Sequence, residues 1–151
     1  MINSTELSRS SCRVLVVDDN RDVAALISAH LNDPRIILKI ATSGREGIET
    51  FKDGSIDLVF MDIQMPEIDG YEATRAIRFW ESRNNLCPTP IAALTSFQST
   101  QALSEIFISG CTTYLHKPIS RNILLQTVNQ YFRASQVDAA AHQARTLLAV
   151  S

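Results

Sequence analysis

The sequence predicts an α/β fold with a parallel sheet, on two observations. Short runs that are apolar at nearly every position alternate five times with longer amphipathic stretches. Several of those runs then stop at a polar residue, as buried strands do where an open α/β sheet keeps its site.

The first run, Val14-Leu15-Val16-Val17, has no polar position and ends at Asp18-Asp19. A helix is expected from about Asp22 to Leu31, with Val23, Leu26, Ile27, His30 and Leu31 on its inner face, stopped by Asp33-Pro34. Ile36 to Ile40 reads as the second strand. Ser43-Gly44 opens a helix carrying Ile48 and Phe51 that ends near Gly54. Ile56 to Met61 is the third strand and delivers Asp62. Pro66 and Gly70 punctuate the next loop, and a helix from Tyr71 to about Glu81 turns Ala73, Ile77 and Trp80 inward. The polar stretch from Ser82 to Pro90 connects to the fourth strand, Ile91 to Leu94, which ends at Thr95. A helix from Ser99 to Ser109 follows, capped by Gly110. Thr112 to His116 is the fifth strand, ending at Lys117-Pro118. The helix from Arg121 to Phe132 carries a stripe of Ile123, Leu124, Thr127, Val128 and Tyr131. These elements divide the chain into an N-terminal extension (1–11), one domain (12–133) and an Ala-rich extension (134–151).

In that extension Val137, Ala141, Ala144 and Leu148 recur at helical spacing. Two heptads are too few for a coiled coil, so a frayed tail and an extra packing or dimerising helix stay open, and with them a homodimer.

Composition narrows the function. A length of 151 residues, 45% of them hydrophobic, suits one core. A net charge of -2 gives no basic field for a phosphate backbone, so nucleic-acid binding is not expected. Cys12, Cys87 and Cys111 lack paired metal-ligand spacing and read as free structural thiols of a reducing compartment. No apolar run approaches the roughly 20 residues of a membrane span, and Met1 to Arg9 has no signal core. A soluble cytoplasmic protein is expected.

Alone, Asp18-Asp19 reads as a turn and helix start, Thr95 as a cap and Lys117 as a solvated charge. Together they sit at the ends of different strands, and a parallel sheet brings such ends to one edge. Three carboxylates there repel one another unless a lysine and a hard divalent cation offset them, and Mg2+, with Mn2+ as a substitute, suits oxygen donors. So neutralised, Asp62 can attack phosphorus, with Thr95 and Lys117 bonding phosphoryl oxygens. Asp69, Glu67 and Glu72 read as helix-dipole charges, and His30, His116 and His142 carry no phosphotransfer motif.

Val-Asp-Asp-Asn at 17–20, Met-Asp-Ile-Gln-Met-Pro at 61–66, Leu-Thr-Ser at 94–96 and Tyr-Leu-His-Lys-Pro at 114–118 closely resemble the receiver domains of two-component response regulators. The run from Gln64 to Glu72 looks like receivers that work with hybrid histidine kinases. The resemblance implies a flavodoxin-like sheet of order 2-1-3-4-5 with five helices. It assigns the metal to Asp19, Asp62 and the Gln64 backbone carbonyl, with Asp18 acting through water. It makes Asp62 the acceptor of a phosphoryl group from a histidine kinase or a histidine phosphotransfer protein. It also implies a switch in which Thr95 moves toward the phosphoryl group and Tyr114 turns inward, repacking the fourth-helix, fifth-strand and fifth-helix face for a downstream protein partner. Lys117-Pro118 is a candidate cis bond. Gln64 and Phe97 flank the path of the hydrolytic water in such domains. Neither is a base, and Phe97 can screen phosphorus, so slow self-dephosphorylation is expected.

The chain is thus read as a phosphoacceptor signalling domain rather than an enzyme. A phosphatase of the haloacid-dehalogenase type shares the chemistry, but its general acid would stand at Gln64 and it carries a cap domain. A phosphorylation-independent binding module is the other alternative, disfavoured by the intact residue set. The segment after Arg133 is too short for an effector domain, so output goes through partners, from either a free-standing regulator or a piece of a hybrid kinase.

Overall fold

The computed structural model describes residues 11–150, with the side chains of 133–144, 146 and 150 left out. Ten elements alternate: β1 (Cys12–Val17), α1 (Arg21–His30), β2 (Ile36–Ala41), α2 (Gly44–Asp53), β3 (Leu58–Asp62), α3 (Gly70–Arg83), β4 (Ile91–Thr95), α4 (Thr100–Ser109), β5 (Thr113–His116) and α5 (Arg121–Val150). All strand pairs are parallel, in the order β2-β1-β3-β4-β5. This is the expected flavodoxin-like topology. It places β3 between β1 and β4, so Asp62 stands mid-edge.

Strand alternation sends neighbours to opposite faces. Leu15, Val17, Met61 and Ala93 pack with Phe51, Ile77 and Ile106 on the side of α2, α3 and α4. Val14, Val16, Phe60 and Leu94 pack with Ile27, Leu31, Leu124 and Val128 on the side of α1 and α5. Each fully buried aliphatic side chain contributes about 1.5–3 kcal/mol, so the hydrophobic layers on both sides hold the sheet.

The helix caps follow local chemistry. Asn20, Ser43, Asp69 and Ser99 accept backbone N–H groups at the starts of α1 to α4, and Gly110 ends α4 in the left-handed region.

Two expected inward residues face out: Leu26 is 53% exposed and Ile123 46%. The expected Ile27 and Leu31 of α1 are buried, joined by Ala24, and so are the expected Leu124, Thr127 and Val128 of α5. Apolar character alone misled only at Leu26 and Ile123, which lie on the outer sides of their helices. The third strand starts at Leu58 rather than Ile56, and the third helix runs on to Arg83. Cys12 and Cys111 are buried as expected, but Cys87 is exposed in the loop before β4. The Ala-rich extension is helical and continuous with α5. The side chains of Val137, Ala141 and Ala144 lie outside the described residues, as do residues 1–10 of the N-terminal extension. No helix among the described residues is long and apolar enough to cross a membrane.

Candidate metal centre

The chain turns sharply after β1, and hydrogen bonds fix that turn. Asp18 N–H donates to the Ala41 carbonyl at 3.1 Å, which ties it to β2. Its Oδ1 accepts the Asn20 N–H at 2.9 Å, while the Asn20 side chain caps α1. Asp18 is therefore both buried and oriented, and Asp19 beside it is exposed. Asn20 is a positioning residue overlooked in the sequence; an amide side chain between an acidic pair and a helical stretch was the available signal.

Asp62 is the last residue of β3 and only 4% exposed. The loop after it closes tightly. Ile63 N–H donates to the Leu94 carbonyl, and Gly70 N–H donates back to the Ile63 carbonyl at 2.9 Å. A Cβ at Gly70 would overlap the Asp62 carbonyl oxygen and come within 2.7 Å of Ile63 Cα, so only glycine permits this approach. Glu67 takes a left-handed φ of 66°, which completes the turn.

From the far side of the sheet edge, Lys117 N–H donates to the Thr95 carbonyl at 2.8 Å, and the Lys117-Pro118 bond is cis. The Lys117 ammonium then reaches Asp62 Oδ1 at 3.0 Å and Asp18 Oδ2 at 3.2 Å. One carboxylate oxygen from each of Asp18, Asp19 and Asp62 lies within 4.8 Å of the others. Residues 99 positions apart in the chain thus share one cluster.

Three acidic groups face one lysine, and the strain shows at Asp62. Burial, and next the negative charge of Asp18, push its carboxyl up from 3.8 to about 6 despite Lys117. Burial pulls the Lys117 ammonium down, but the hydrogen bonds and charges of Asp62 and Asp18 outweigh it and hold the group above its ordinary value. The surplus of negative charge and the all-oxygen donor set fit a hard divalent cation. Mg2+ belongs to this class, and Asp18, Asp19 and Asp62 form the only such cluster among the described residues.

Thr95 ends β4 beside β3, buried, and its Oγ1 accepts the Phe97 N–H at 3.0 Å. Gln64 is exposed in the β3–α3 loop. Phe97 is 44% exposed. Tyr114 is outside the cluster on β5, half-exposed, with its ring edge-on to Phe107 of α4 at 6.1 Å. His116 is exposed too, with a ring nitrogen 3.0 Å from the Gln98 side-chain amide. The structure therefore joins Asp18, Asp19, Asp62 and Lys117 directly, and sets the other site residues on the two loops and the strand around them.

Comparison with known proteins agrees with this geometry. The response regulator receiver domain family matches residues 14–129. The sensor protein GacS of Pseudomonas syringae pv. syringae is 38% identical over 122 residues, covering 81% of this chain and 14% of that protein. The osmolarity two-component system protein SSK1 of Saccharomyces cerevisiae is 29% identical over 141 residues, covering 78% of this chain and 20% of that protein. Among solved structures, the co-crystal of the S. cerevisiae histidine phosphotransfer protein Ypd1 with the Ssk1 receiver domain gives a TM-score of 0.79 at 31% identity, over 83% of this chain and 92% of that one. The Vibrio cholerae chemotaxis protein CheY4 gives 0.73 at 29% identity, over 80% and 98%. The chain spans a fifth or less of the two sensor and osmolarity proteins it matches. Fold, cluster and family match together show that the chain belongs to the response regulator receiver domain family of two-component signalling.

Proposed function

We propose that Asp62 is a phosphoacceptor whose modification switches the surface formed by α4, β5 and the start of α5. The observation that carries this reading is the convergence of Asp18, Asp19 and Asp62 on one point with Lys117 bonded to Asp62.

In the transfer step a carboxylate oxygen of Asp62 attacks the phosphorus of a phosphohistidine. The new P–O bond forms as the P–N bond breaks, and the imidazole nitrogen keeps the electron pair and takes up a proton. Asp19, Asp62 and the Gln64 carbonyl would hold Mg2+, with Asp18 acting through water; the ion would supply charge neutralisation at the phosphoryl oxygens. Lys117 orients Asp62 and then pairs with the phosphoryl group. The Thr95 hydroxyl leaves the Phe97 N–H and donates to another phosphoryl oxygen. Tyr114, now resting on Phe107, follows it inward. Later, water attacks phosphorus, the P–O bond to Asp62 breaks, and inorganic phosphate leaves; Phe97 and Gln64 slow this step.

The donor partner is a histidine kinase or a histidine phosphotransfer protein, which the relatives' names support. The downstream partner is a protein that reads the switched face. We assign the receiver unit to residues 12–133, with 134–151 as a helical extension, and place it in the cytoplasm, where such kinases deliver phosphate. The linkage can be tested chemically. Chain phosphorylated by a phosphohistidine donor should lose its label to neutral hydroxylamine, as acyl phosphates do. A label that survives would contradict a carboxylate acceptor.

A further inference from the structure

Helix α4 is held very unevenly. Its only fully buried side chains, Ile106 and Ser109, lie in the C-terminal half, whereas Thr100 to Glu105 contributes only the partly buried Leu103 to the core. At the C-terminal end Arg78 of α3 donates from Nε to the Gly110 carbonyl at 2.9 Å, and its Nη1 reaches Glu81 Oε1 at 2.7 Å. Glu81 is 2% exposed, and its other oxygen accepts the Thr89 N–H at 2.7 Å, just before β4. Cys111 Sγ lies 3.6 Å from Thr74 Oγ1 on the same helix, which adds a second tie. The Arg78–Glu81 pair thus fastens the end of α4 to α3 through the guanidinium and the entry to β4 through the carboxylate.

The other end of α4 follows the loop of Thr95 and Phe97, where residues 96–100 are all exposed. A buried charge-assisted network resists displacement far more than an exposed loop does, because breaking it strands a charge away from water.

We propose that Arg78 and Glu81 are positioning residues that form a fixed hinge for α4, so that a change at Asp62 and Thr95 moves the N-terminal half of the helix while Gly110 stays on α3. This rests on Asp62 being the phosphoacceptor. The hinge turns a small movement near Thr95 into reorientation of the mostly exposed first half of α4, Thr100 to Glu105, without loosening the sheet.

Amide hydrogen exchange of the full chain, with and without Mg2+ and beryllofluoride as the phosphoryl mimic, tests it. In the wild type the ligand should change exchange severalfold across residues 97–105 and leave 106–112 within about twofold. In Arg78→Lys, which keeps the charge but not the fork, the ligand-dependent change should spread into 106–112 by about tenfold. Glu81→Gln gives the same reading if Arg78→Lys does not fold. Equal ligand-dependent change through 97–112 in the wild type, or a wild-type pattern in the folded variant, would overturn the hinge. Absence of any ligand effect around Asp62 in the wild type would instead overturn the phosphoacceptor reading and the hinge with it.

Discussion

The Lys117 ammonium sits 3.0 Å from Asp62 and 3.2 Å from Asp18, so one cation spans two carboxylates from different strands. It is only partly exposed, and both of its partners are buried. Removing it leaves an uncompensated acidic cluster. Lys117→Met should destabilise the metal-free protein by about 1–3 kcal/mol in urea unfolding, with part of that recovered in Mg2+. Asp62→Asn should do the opposite and stabilise the metal-free protein by about 1–2 kcal/mol, since it relieves repulsion. Equal effects of the two substitutions would contradict the charge balance described above.

The pH dependence follows from the same residue. Asp62 titrates near 6 in the folded chain against an ordinary 3.8, so the native state holds an extra proton between those values. Its contribution to stability is full below about 4 and is lost as pH rises through about 6. Asp33 works in the other direction, lowered to about 2 by its hydrogen bonds to Arg35, but its effect is confined to pH below about 4. Metal-free wild type should therefore lose stability between pH 4.5 and pH 7 relative to Asp62→Asn, by on the order of 1–3 kcal/mol. Saturating Mg2+ should flatten that difference. The check is a series of urea midpoints across this range.

Gly70→Ala should be severe, because the added methyl meets the backbone of Asp62 and Ile63 rather than a flexible side chain. Loss of about 2 kcal/mol or more is expected, and Mg2+ affinity should fall further than stability accounts for. Mg2+ titrations followed by calorimetry, alongside urea unfolding, separate the two effects. Normal Mg2+ affinity in a folded Gly70→Ala protein would contradict the role of this contact.

Phe97→Ala should shorten the lifetime of the acyl phosphate severalfold by opening a path for water, with phosphorylation itself intact. The measurement is release of inorganic phosphate after removal of the donor. An unchanged rate would remove the screening role of Phe97.

The strand ends were legible because a buried parallel strand has no polar residues until it leaves the core; Asp62 after Val59-Phe60-Met61 is the plainest case. Convergence of Asp18 and Lys117 needed the topology, which the alternating pattern supplied and the family resemblance ordered. Side-chain direction was less legible. Leu26 and Ile123 are apolar residues that face solvent, and the pattern of hydrophobicity holds no sign of it. Nor did it show that Glu81, an ordinary helix-end charge by sequence, is buried against Arg78 and Thr89, since those partners come from a helix turn and a loop whose approach only packing decides. The extent of α5 stayed open because the two heptads of its Ala-rich part are too few to tell a continuing helix from a frayed tail.

The central claim is that Asp62 accepts a phosphoryl group with the help of a divalent cation. Its most direct test is intact mass after incubation with acetyl phosphate and Mg2+, for the wild type and Asp62→Asn. The account predicts a gain of one phosphoryl group in the wild type that disappears in Asp62→Asn and when the metal is chelated. A gain retained in Asp62→Asn, or none in folded, Mg2+-saturated wild type sampled within seconds, would contradict it.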